Sequence, residues 1–314
     1  MLLDSSVKKD YDILIIGGGI AGMTAAIYAS RANLKAAIVE KEICGGLANW
    51  THTIENYPGF NSINGMELME KIKQQVILHD VDVYEVTEIK DFDFSTRDKS
   101  VIVDEFNLQA KSVILSIGRK PIALSIDTED FAEHIHYCSI CDGNYYKNKS
   151  VLVVGGGNSA FDESLYLAAL GVENIQIIDA MDHCIADQSI QQRALNSRVI
   201  SVLNGHTITE IIEEKGCGIV TIKNLQTQKT LHQKADGIFV FIGQQPNTKE
   251  FQGVINLDKK GYIIVDQSMR TNVQGIYAAG DVIVKKYRQL TTAASDGTIA
   301  ALEAIDYISG DFLA

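Results

Sequence analysis

The sequence predicts an α/β fold with two domains of similar design, each built around a parallel sheet. Two stretches of the chain support this prediction, because each has the order strand, glycine-rich turn, helix and second strand. In the first stretch, an apolar strand at residues 11–16 precedes a helix at 20–33 and a strand at 36–39. The second stretch repeats this order between residues 151 and 178. With 314 residues, of which 46% are hydrophobic, the chain is long enough to bury two cores.

The first turn carries the motif Gly-x-Gly-x-x-Gly, formed by Gly17, Gly19 and Gly22. The first glycine permits a tight turn, the second lets a pyrophosphate approach the backbone, and the third lets helix and strand pack closely. The helix N-terminus attracts the phosphates. Glu40 closes the next strand, where an acidic side chain accepts hydrogen bonds from a ribose diol. This stretch is therefore predicted to bind a dinucleotide.

The second turn carries a related motif, Gly-x-Gly-x-x-Ala, formed by Gly155, Gly157 and Ala160. The same reasoning makes it a second dinucleotide-binding unit, so the predicted fold class is α/β with two Rossmann-like domains. Further β-like segments and one long amphipathic helix are expected to complete the domains. The β-like segments are 83–86, 113–117, 219–223, 237–242 and 275–279, and the helix spans about 291–308.

The composition restricts the function classes and the location. The chain has 40 acidic and 28 basic residues, and the net charge of −12 opposes non-specific binding to nucleic acid or to an anionic membrane. The polar N-terminus lacks the apolar segment of a signal peptide, and no apolar run is long enough to span a bilayer. We therefore expect a cytoplasmic protein whose cysteines are thiols rather than a structural disulfide framework. Three of them, Cys44, Cys184 and Cys217, are isolated and are interpreted as small hydrophobic or surface side chains.

Cys138 and Cys141 have the Cys-x-x-Cys spacing, which allows two thiols to close a small disulfide ring and to exchange two electrons. Asp142 follows the second cysteine, where a carboxylate can relay a proton as a thiolate leaves or returns. His134 and His136 precede the pair, so a zinc site is the competing interpretation. A single Cys-x-x-Cys beside a nucleotide-binding unit favours redox chemistry, and no metal is expected.

Taken in order, these motifs resemble the low-molecular-weight thioredoxin reductase family over essentially the whole chain. Besides the glycine motifs and Cys-Ser-Ile-Cys-Asp-Gly, the resemblance rests on Glu-Asn-Tyr-Pro-Gly at 55–59, Ala-Ala-Gly-Asp at 278–281 and Tyr-Arg-Gln at 287–289. It implies an FAD domain that is discontinuous in sequence, at 1–114 and 245–314, and a pyridine-nucleotide-like domain at 115–244 that carries the dithiol. It also implies a homodimer in which electrons pass from FAD through the dithiol to the disulfide of a thioredoxin-like protein, after a rotation between the domains.

The same resemblance implies which residues line FAD. Besides the first glycine motif and Glu40, they are Lys41, Gly45, Gly46, Leu47, Asn56, Val86, Gly118, Gly280, Asp281, Arg288, Gln289 and Leu290. Asp281 also has a reason of its own, because an acid just past a strand end is well placed to hold a ribityl hydroxyl. The helix that begins near Gln289 would point its positive end at the flavin ring. Leu47 is a departure, since the family usually has glutamine there.

The segment after the second glycine motif departs further from the family. Family members have a His-Arg-Arg cluster here, and another arginine shortly after it, to bind the 2′-phosphate of NADPH. In this chain the segment 179–187 reads Asp-Ala-Met-Asp-His-Cys-Ile-Ala-Asp, so carboxylates stand where the arginines are expected. Carboxylates repel a phosphate dianion, and each lost charge-assisted hydrogen bond costs about 1.5–3 kcal/mol. The donor is therefore expected not to be NADPH.

Two donors are compatible with the acidic segment. Asp179 stands nearly as far from Gly155 as Glu40 does from Gly17, so it could bind the 2′-hydroxyl of NADH. The preferred hypothesis is a reduced protein, because family members without the arginine cluster include some that take electrons from ferredoxin. An acidic ferredoxin would need a basic docking patch, and the candidates are Lys147, Lys149, Lys285, Lys286 and Arg288.

Functions of other classes remain open at this point. A flavin oxidase or a ferredoxin–nicotinamide reductase of related fold could share both glycine motifs, but neither needs Cys138 and Cys141. A non-catalytic flavin redox sensor would keep the cofactor while its dithiol is inert toward protein disulfides. The sequence therefore predicts a flavin-dependent disulfide oxidoreductase, with NADH-dependent reduction and redox sensing as the alternatives.

Overall fold

The computed structural model describes residues 7–51, 53–214 and 216–312, with side chains up to residue 310. The expected lack of a signal peptide rests on the first ten residues, of which 1–6 lie outside the described residues. The chain divides into two compact units, one formed by Met1–Lys120 with Gln245–Ala314 and the other by Pro121–Gln244. The first division lies at residue 120 rather than 114, because the strand that ends at Leu115 belongs to the sheet of the first unit.

The helices and strands follow one another along the chain as the glycine motifs predict. The strands are β1 (Val7–Ile16), β2 (Ala36–Val39), β3 (Asp82–Tyr84), β4 (Ile89–Asp93), β5 (Lys99–Val103), β6 (Phe106–Leu115), β7 (Arg119–Pro121), β8 (Ile135–His136), β9 (Ser150–Val154), β10 (Asn174–Asp179), β11 (Ile200–Asn204), β12 (His206–Glu214), β13 (Cys217–Asn224), β14 (Thr230–Ala235), β15 (Gly237–Val240), β16 (Gln244–Pro246) and β17 (Ile276–Ala278). The α-helices are α1 (Ile20–Arg31), α2 (Gly65–Leu78), α3 (Ser139–Asp142), α4 (Asn158–Ala169), α5 (Gln188–Leu195) and α6 (Leu290–Phe312).

In the first unit the sheet has the order β3-β2-β1-β6-β5-β4, and β17 pairs with the second half of β6. β1, β2, β3, β6 and β17 run parallel, whereas β4 and β5 add an antiparallel edge. Ile16 pairs with Leu115, and Leu115 pairs with Ala278. The carboxyl ends of β1, β6 and β17 therefore meet at one edge, which is where parallel sheets place their ligands.

Helices α1 and α6 of the first unit pack together through small side chains. Ala25, Ala26 and Ala29 on α1 are fully buried, as are Ala300, Ala301 and Ala304 on α6. The approach is close enough that a Cβ on Gly297 would stand 2.1 Å from the carbonyl oxygen of Ala21. The small-residue composition of α1 thus reflects a helix buried between the sheet and α6, rather than a surface helix with one apolar stripe.

The second unit has a parallel sheet of order β11-β10-β9-β15-β8 and a three-stranded antiparallel sheet, β12-β13-β14. The glycine turn between β9 and α4 and the return strand β10 repeat the design of the first unit. Phe131 lies against β13, where a Cβ on Gly218 would be 2.9 Å from its ring. The short strands β7 and β16 pair with each other.

The α/β fold class and the predicted helices are confirmed. The long helix expected at 291–308 is α6, which extends to Phe312. The strand expected at 83–86 ends two residues earlier, because Val86 adopts a left-handed conformation with φ of 52°. Among the described helices, none is long and apolar enough to cross a membrane.

Candidate functional site

The first glycine turn has the geometry that its three positions require. Gly17 has φ of 103°, and a Cβ there would stand 2.4 Å from the carbonyl oxygen of Ser116. A Cβ on Gly22 would be 2.0 Å from the carbonyl oxygen of Gly17. At Gly19 a Cβ would meet no atom of the described residues within 4 Å. Two glycines are thus fixed by packing, whereas Gly19 borders open space at the start of α1.

Glu40 closes this turn from the end of β2. Its Oε2 atom accepts a hydrogen bond from the Gly18 amide at 2.6 Å, and its Oε1 atom accepts one from the Glu42 amide at 3.0 Å. Each carboxylate oxygen has a second lone pair, so Glu40 is held in place and can still accept from a ligand hydroxyl. The burial of Cys44 beside this turn raises the pKa of its thiol to about 12.

Gly45 and Gly46 form a second glycine segment that faces the first. The Gly45 amide donates to the carbonyl oxygen of Gly18 at 2.9 Å, and Gly45 bridges Gly19. Both glycines have positive φ, of 126° and 57°, and a Cβ on Gly45 would stand 2.1 Å from Asn49. Leu47 follows them in a short 3-10 helix, Gly46–Trp50.

Val86 and Lys41, two further predicted site residues, differ in the contacts that they make. Val86 is 77% exposed, and its amide donates to the carbonyl oxygen of Glu42 at 3.0 Å. A β-branched residue at positive φ carries strain, so the contact with Glu42 holds a conformation that the side chain disfavours. The ammonium of Lys41, in contrast, is paired with Glu88 at 2.5 Å on the surface.

Asp281 lies past the end of β17 in an ionic cluster. Its Oδ2 atom is 2.7 Å from Nη2 of Arg119, and its Oδ1 atom is 3.6 Å from Nζ of Lys285. Lys285 also donates to Asp296 at 2.7 Å, and Asp296 accepts from the Gly280 amide at 3.2 Å. Within the described part of the chain, Oδ1 of Asp281 and Nε of Arg119 are buried without a hydrogen-bond partner. Arg119 was missed by the sequence reasoning, which stopped at Gly118.

The segment before α6 brings together further predicted residues. Asn56 donates to the side chain of Gln289 at 3.2 Å, although the two lie far apart in sequence. The guanidinium of Arg288 lies 4.2 Å from the ring centre of Tyr262, and its Nε atom is 3.4 Å from the carbonyl oxygen of Asp281. Leu290 begins α6 and packs against the core below α1.

Cys138 and Cys141 form a disulfide in the second unit. Cys138 precedes α3, and its sulfur accepts a hydrogen bond from the Cys141 amide at 3.1 Å. Cys138 is buried, whereas Cys141 is exposed. Cys44, Cys184 and Cys217 are free cysteines, and the first two are buried, in keeping with their interpretation as small hydrophobic side chains.

A chain of polar side chains begins at Asp142, the residue that follows Cys141. The carboxylate of Asp142 lies 3.1 Å from Nδ1 of His136, and Nε2 of His136 lies 2.5 Å from the Tyr146 hydroxyl. Burial lowers the pKa of His136 although Asp142 opposes the shift, and burial raises the pKa of Tyr146. A neutral His136 therefore donates from Nδ1 to Asp142 and accepts from the Tyr146 hydroxyl at Nε2.

The two histidines that suggested the zinc interpretation both take part in hydrogen bonds in this structure. Both ring nitrogens of His136 already have partners, and Nδ1 of His134 lies 3.4 Å from the Tyr146 hydroxyl. Over the described ranges, histidine, cysteine and carboxylate side chains form no group of three or more that could hold a metal ion.

Glu163 is a second carboxyl group near the disulfide that the sequence reasoning missed. It lies on α4 beside Ser139, the residue that follows Cys138, and Ser139 is fully buried. Burial raises the pKa of Glu163 to about 7, although the neighbouring Ser139 opposes the shift. Its Oε2 atom has no hydrogen-bond partner among the residues that the structure describes. Its position in a helix, flanked by Asp162, resembles that of a surface acid, so the sequence carried no signal of its burial.

The second glycine turn differs from the first in the hydrogen bonding of the acid that follows it, Asp179. Gly155 has φ of 127°, like its counterpart Gly17, and Gly157 borders open space. Asp179 ends β10 and is only 8% exposed. A Cβ on Gly156 would stand 1.8 Å from its Oδ2 atom. Unlike Glu40, Asp179 keeps an Oδ2 atom without a hydrogen-bond partner in the described residues.

The acidic segment after β10 folds back onto this turn. The amides of Ile185 and Ala186 donate to the carbonyl oxygen of Gly156 at 2.9 and 3.0 Å. Asp187 accepts from the Asn158 side chain at 2.9 Å, and its amide donates back to that side chain at 2.7 Å. A carboxylate thus stands beside the first residue of α4, the position where a dinucleotide places its pyrophosphate.

The basic residues proposed as a docking patch differ in their contacts and exposure. Lys285 is paired with both Asp281 and Asp296 and its side chain is only 12% exposed, so it is unsuited to a protein partner. Lys149 lies over the ring of Tyr145 at 3.7 Å and Lys286 over that of Tyr287 at 4.9 Å. Tyr145 and Tyr287 are both 63% exposed; Lys286 is exposed as well, whereas Lys149 is half-buried.

Comparisons with known proteins agree with this geometry. The family model described as pyridine nucleotide-disulphide oxidoreductase matches residues 11–297. The chain is 39% identical over 305 residues to the "34.2 kDa protein in rubredoxin operon" of Clostridium pasteurianum, covering 96% of this chain and 99% of that protein. It is 38% identical to the thioredoxin reductase of Bacillus subtilis (strain 168), covering 96% of both. The crystal structure of Lactococcus lactis thioredoxin reductase is similar, with a TM-score of 0.90 at 35% identity, covering 96% of this chain and 99% of that one.

Proposed function

We infer the function of this chain from the fact that it belongs to the pyridine nucleotide-disulphide oxidoreductase family and is an FAD-binding, thioredoxin reductase-like enzyme. We propose that it reduces a thioredoxin-like protein with electrons from a donor other than NADPH. The observation that carries this proposal is the Cys138–Cys141 disulfide at the head of α3, with Asp142 and His136 beside it. A flavin oxidase needs no such pair.

The residues of the first unit fit FAD. The open space at Gly19 suits a pyrophosphate at the N-terminus of α1, and Glu40 suits the ribose diol. The unpartnered Oδ1 atom of Asp281 suits a hydroxyl of the ribityl chain. When bound, the flavin supplies the electron pair that reduces the disulfide. Gly45, Gly46, Leu47, Asn56, Val86, Gly118, Gly280, Arg288, Gln289 and Leu290 are proposed to complete the site, while Lys41 contributes its backbone because its ammonium is paired with Glu88.

The dithiol then passes the electron pair on by thiol exchange. One cysteine thiolate attacks the partner disulfide, a mixed disulfide forms and the partner S–S bond breaks. The second cysteine attacks the mixed disulfide, which restores Cys138–Cys141 and releases the partner as a dithiol. Two protons must reach the partner sulfurs, and Asp142 is proposed to relay them because it follows Cys141, has a side chain that is 41% exposed to solvent, and is held by His136.

The donor is proposed to be a reduced protein such as ferredoxin. Support comes from Asp187, whose carboxylate accepts a hydrogen bond from the side chain of Asn158, the first residue of α4, and would repel a nucleotide pyrophosphate bound there. Asp179 and Asp182 add negative charge to the same segment, and a 2′-phosphate would find no arginine in it. The chain still offers the exposed Lys286 and the half-buried Lys149 to a partner of opposite charge.

NADH is the second candidate donor, and one observation favours it. The buried Oδ2 atom of Asp179 lacks a hydrogen-bond partner in the described chain, and leaving such an atom unpaired costs about 1–3 kcal/mol. The 2′-hydroxyl of an NADH ribose would satisfy it.

Anaerobic titration of the flavin spectrum with reduced ferredoxin, NADH and NADPH decides between these donors. We expect bleaching by reduced ferredoxin and none by NADPH at matched concentrations. Rapid and complete bleaching by NADPH would overturn the proposal, and bleaching by NADH alone would replace ferredoxin with the second candidate.

The disulfide function is tested separately from the donor. Chemically reduced protein should transfer electrons to thioredoxin, measured by coupled insulin reduction. Cys141→Ser should lose this transfer and keep bound FAD, whereas Cys217→Ser, which removes a thiol outside the α3 segment, should keep both. Transfer that survives Cys141→Ser would reject the dithiol mechanism, whereas no transfer by the unmodified protein would favour the redox-sensor alternative. The expected homodimer is checked by light scattering of the purified protein.

A further inference from the structure

Arg119 and Asp281 meet at the carboxyl edge of the first sheet. Arg119 follows β6 and Asp281 follows β17, and these strands are parallel neighbours through the pair Leu115 and Ala278. Nη2 of Arg119 lies 2.7 Å from Oδ2 of Asp281. The two side chains are 19% and 23% exposed, so this ion pair is largely removed from solvent.

The pair is incomplete in a way that points to a ligand. A guanidinium and a carboxylate can form two parallel hydrogen bonds, but here only Nη2 and Oδ2 are joined. Within the described residues, Nε of Arg119 and Oδ1 of Asp281 are buried and lack hydrogen-bond partners. A buried polar atom without a hydrogen-bond partner destabilises the protein, so both atoms favour a ligand that pairs with them. One donor and one acceptor are therefore left over, which is what a hydroxyl group needs, since it both accepts and donates.

The surroundings connect this pair to the nucleotide turn. A Cβ on Gly280 would stand 2.9 Å from the Cβ of Ala21, so the segment before Asp281 packs on the first turn of α1. On the other side, a Cβ on Gly118 would meet no described atom within 4 Å. The pair thus lies beside α1 and next to open space.

The charges of the cluster indicate a neutral ligand group. Arg119 and Lys285 are balanced by Asp281 and Asp296, which lies 2.7 Å from Lys285, and the nearby Arg288 directs its guanidinium at the carbonyl oxygens of Asp281 and Ile283. A phosphate would need surplus positive charge, whereas the hydroxyls of a polyol chain need only donors and acceptors.

We propose that Arg119 is an FAD-binding residue that holds Asp281 through Nη2 and donates its Nε–H to the ribityl chain. Asp281, fixed in this way, accepts from a ribityl hydroxyl with Oδ1. This inference rests on FAD binding and deepens the proposed function, because it adds a residue for the flavin half of the cofactor.

The test measures FAD affinity on oxidised protein, without donor or acceptor. Apoprotein is titrated with FAD by flavin fluorescence, and with ADP as a probe that has the adenosine half but no ribityl chain. Arg119→Met should raise the Kd for FAD at least tenfold and leave that for ADP within twofold. Arg119→Lys should not restore the affinity, since an ammonium cannot replace both Nη2 and Nε.

Asp281→Asn and the double variant show whether the two residues act together. If they do, the double variant should lose less FAD affinity than the product of the two single losses. Arg270→Met removes a different arginine–carboxylate pair of the same unit, with Glu303, and should leave the Kd for FAD unchanged.

Two results would overturn the inference. Arg119→Met could bind FAD like the unmodified protein while its apoprotein unfolds at a lower temperature, which would make Arg119 a structural residue only. Equal losses for FAD and ADP would indicate a damaged site rather than a lost ribityl contact. Failure of thioredoxin reduction would leave these affinities unaffected, so the inference and the proposed function can fail separately.

Discussion

The carboxylate of Asp142 and Nδ1 of His136 lie 3.1 Å apart, directly beside the Cys138–Cys141 disulfide. Because burial lowers the pKa of His136, the ring is neutral near pH 7 and donates its single proton to Asp142. The Tyr146 hydroxyl supplies the hydrogen bond on the other side of the ring. The acid beside the dithiol is therefore oriented by a buried network.

Replacing Asp142 should slow proton delivery to the sulfurs. We expect Asp142→Asn to reduce the rate of electron transfer from reduced enzyme to thioredoxin by about 10²–10⁴-fold, the usual contribution of a general acid or base. Stopped-flow oxidation of anaerobically reduced protein by thioredoxin measures this rate independently of the natural donor. Asp130→Asn changes an exposed acid of the same unit and should leave the rate unchanged. A rate for Asp142→Asn equal to that of this control would exclude the relay.

Gly22 and Gly19 should respond differently to the same substitution. A methyl group on Gly22 would clash with the backbone of Gly17, so Gly22→Ala should reduce the amount of folded protein. A methyl group on Gly19 meets open space, so Gly19→Ala should fold normally but bind FAD more weakly because the pyrophosphate approaches there. Circular dichroism and the flavin absorbance of purified protein separate the two effects. Full flavin content in Gly19→Ala would contradict the placement of the pyrophosphate.

Glu163 should make stability depend on pH. Its folded-state pKa is raised to about 7 from an ordinary value of 4.5, so the unfolded state ionises first as the pH rises. The protein therefore loses stability between about pH 4.5 and 7, by an amount on the order of 3 kcal/mol. Glu163→Gln should remove this loss and stabilise the protein at pH 8 but not at pH 4.5, as measured by urea unfolding. Glu133→Gln, at an exposed position, is the control, and identical pH profiles for all three proteins would refute the prediction.

Val86 should be replaceable by a residue that tolerates positive φ. Its side chain is 77% exposed and buries little, whereas its left-handed backbone costs a β-branched residue roughly 1–2 kcal/mol. We expect Val86→Asn to raise the free energy of unfolding of the apoprotein by about 1 kcal/mol. Val254→Asn, at a residue without positive φ, should give no such gain, and a loss of stability in Val86→Asn would count against the strain.

The features that the sequence predicted well depend on local backbone geometry. The glycine motifs were sufficient to predict both glycine turns, because the backbone of such a turn needs positive φ at Gly17 and at Gly155. The Cys-x-x-Cys spacing was likewise sufficient to predict the disulfide, since its two residues lie on one turn of helix.

The features that were missed depend on contacts between distant segments. Arg119 meets Asp281 only because β6 and β17 are neighbours in the sheet. Glu163 becomes buried only because α3 packs on α4. Val86 ends an apolar pattern typical of a strand, but a contact with the Glu42 carbonyl turns the backbone away. Lys285 looked like a solvated docking residue because its two carboxylate partners are not adjacent to it in sequence.

The close packing of α1 against α6 has a consequence for synthesis on the ribosome. α1 emerges early from the ribosome, but its alanine face cannot be buried until α6, about 260 residues later in the chain, has also been synthesised. The unit formed by Pro121–Gln244 is continuous and has all its own strands by the time residue 244 leaves the exit tunnel. The nascent chain is therefore expected to complete the unit formed by Pro121–Gln244 first, while α1 remains open to chaperones until α6 has been synthesised.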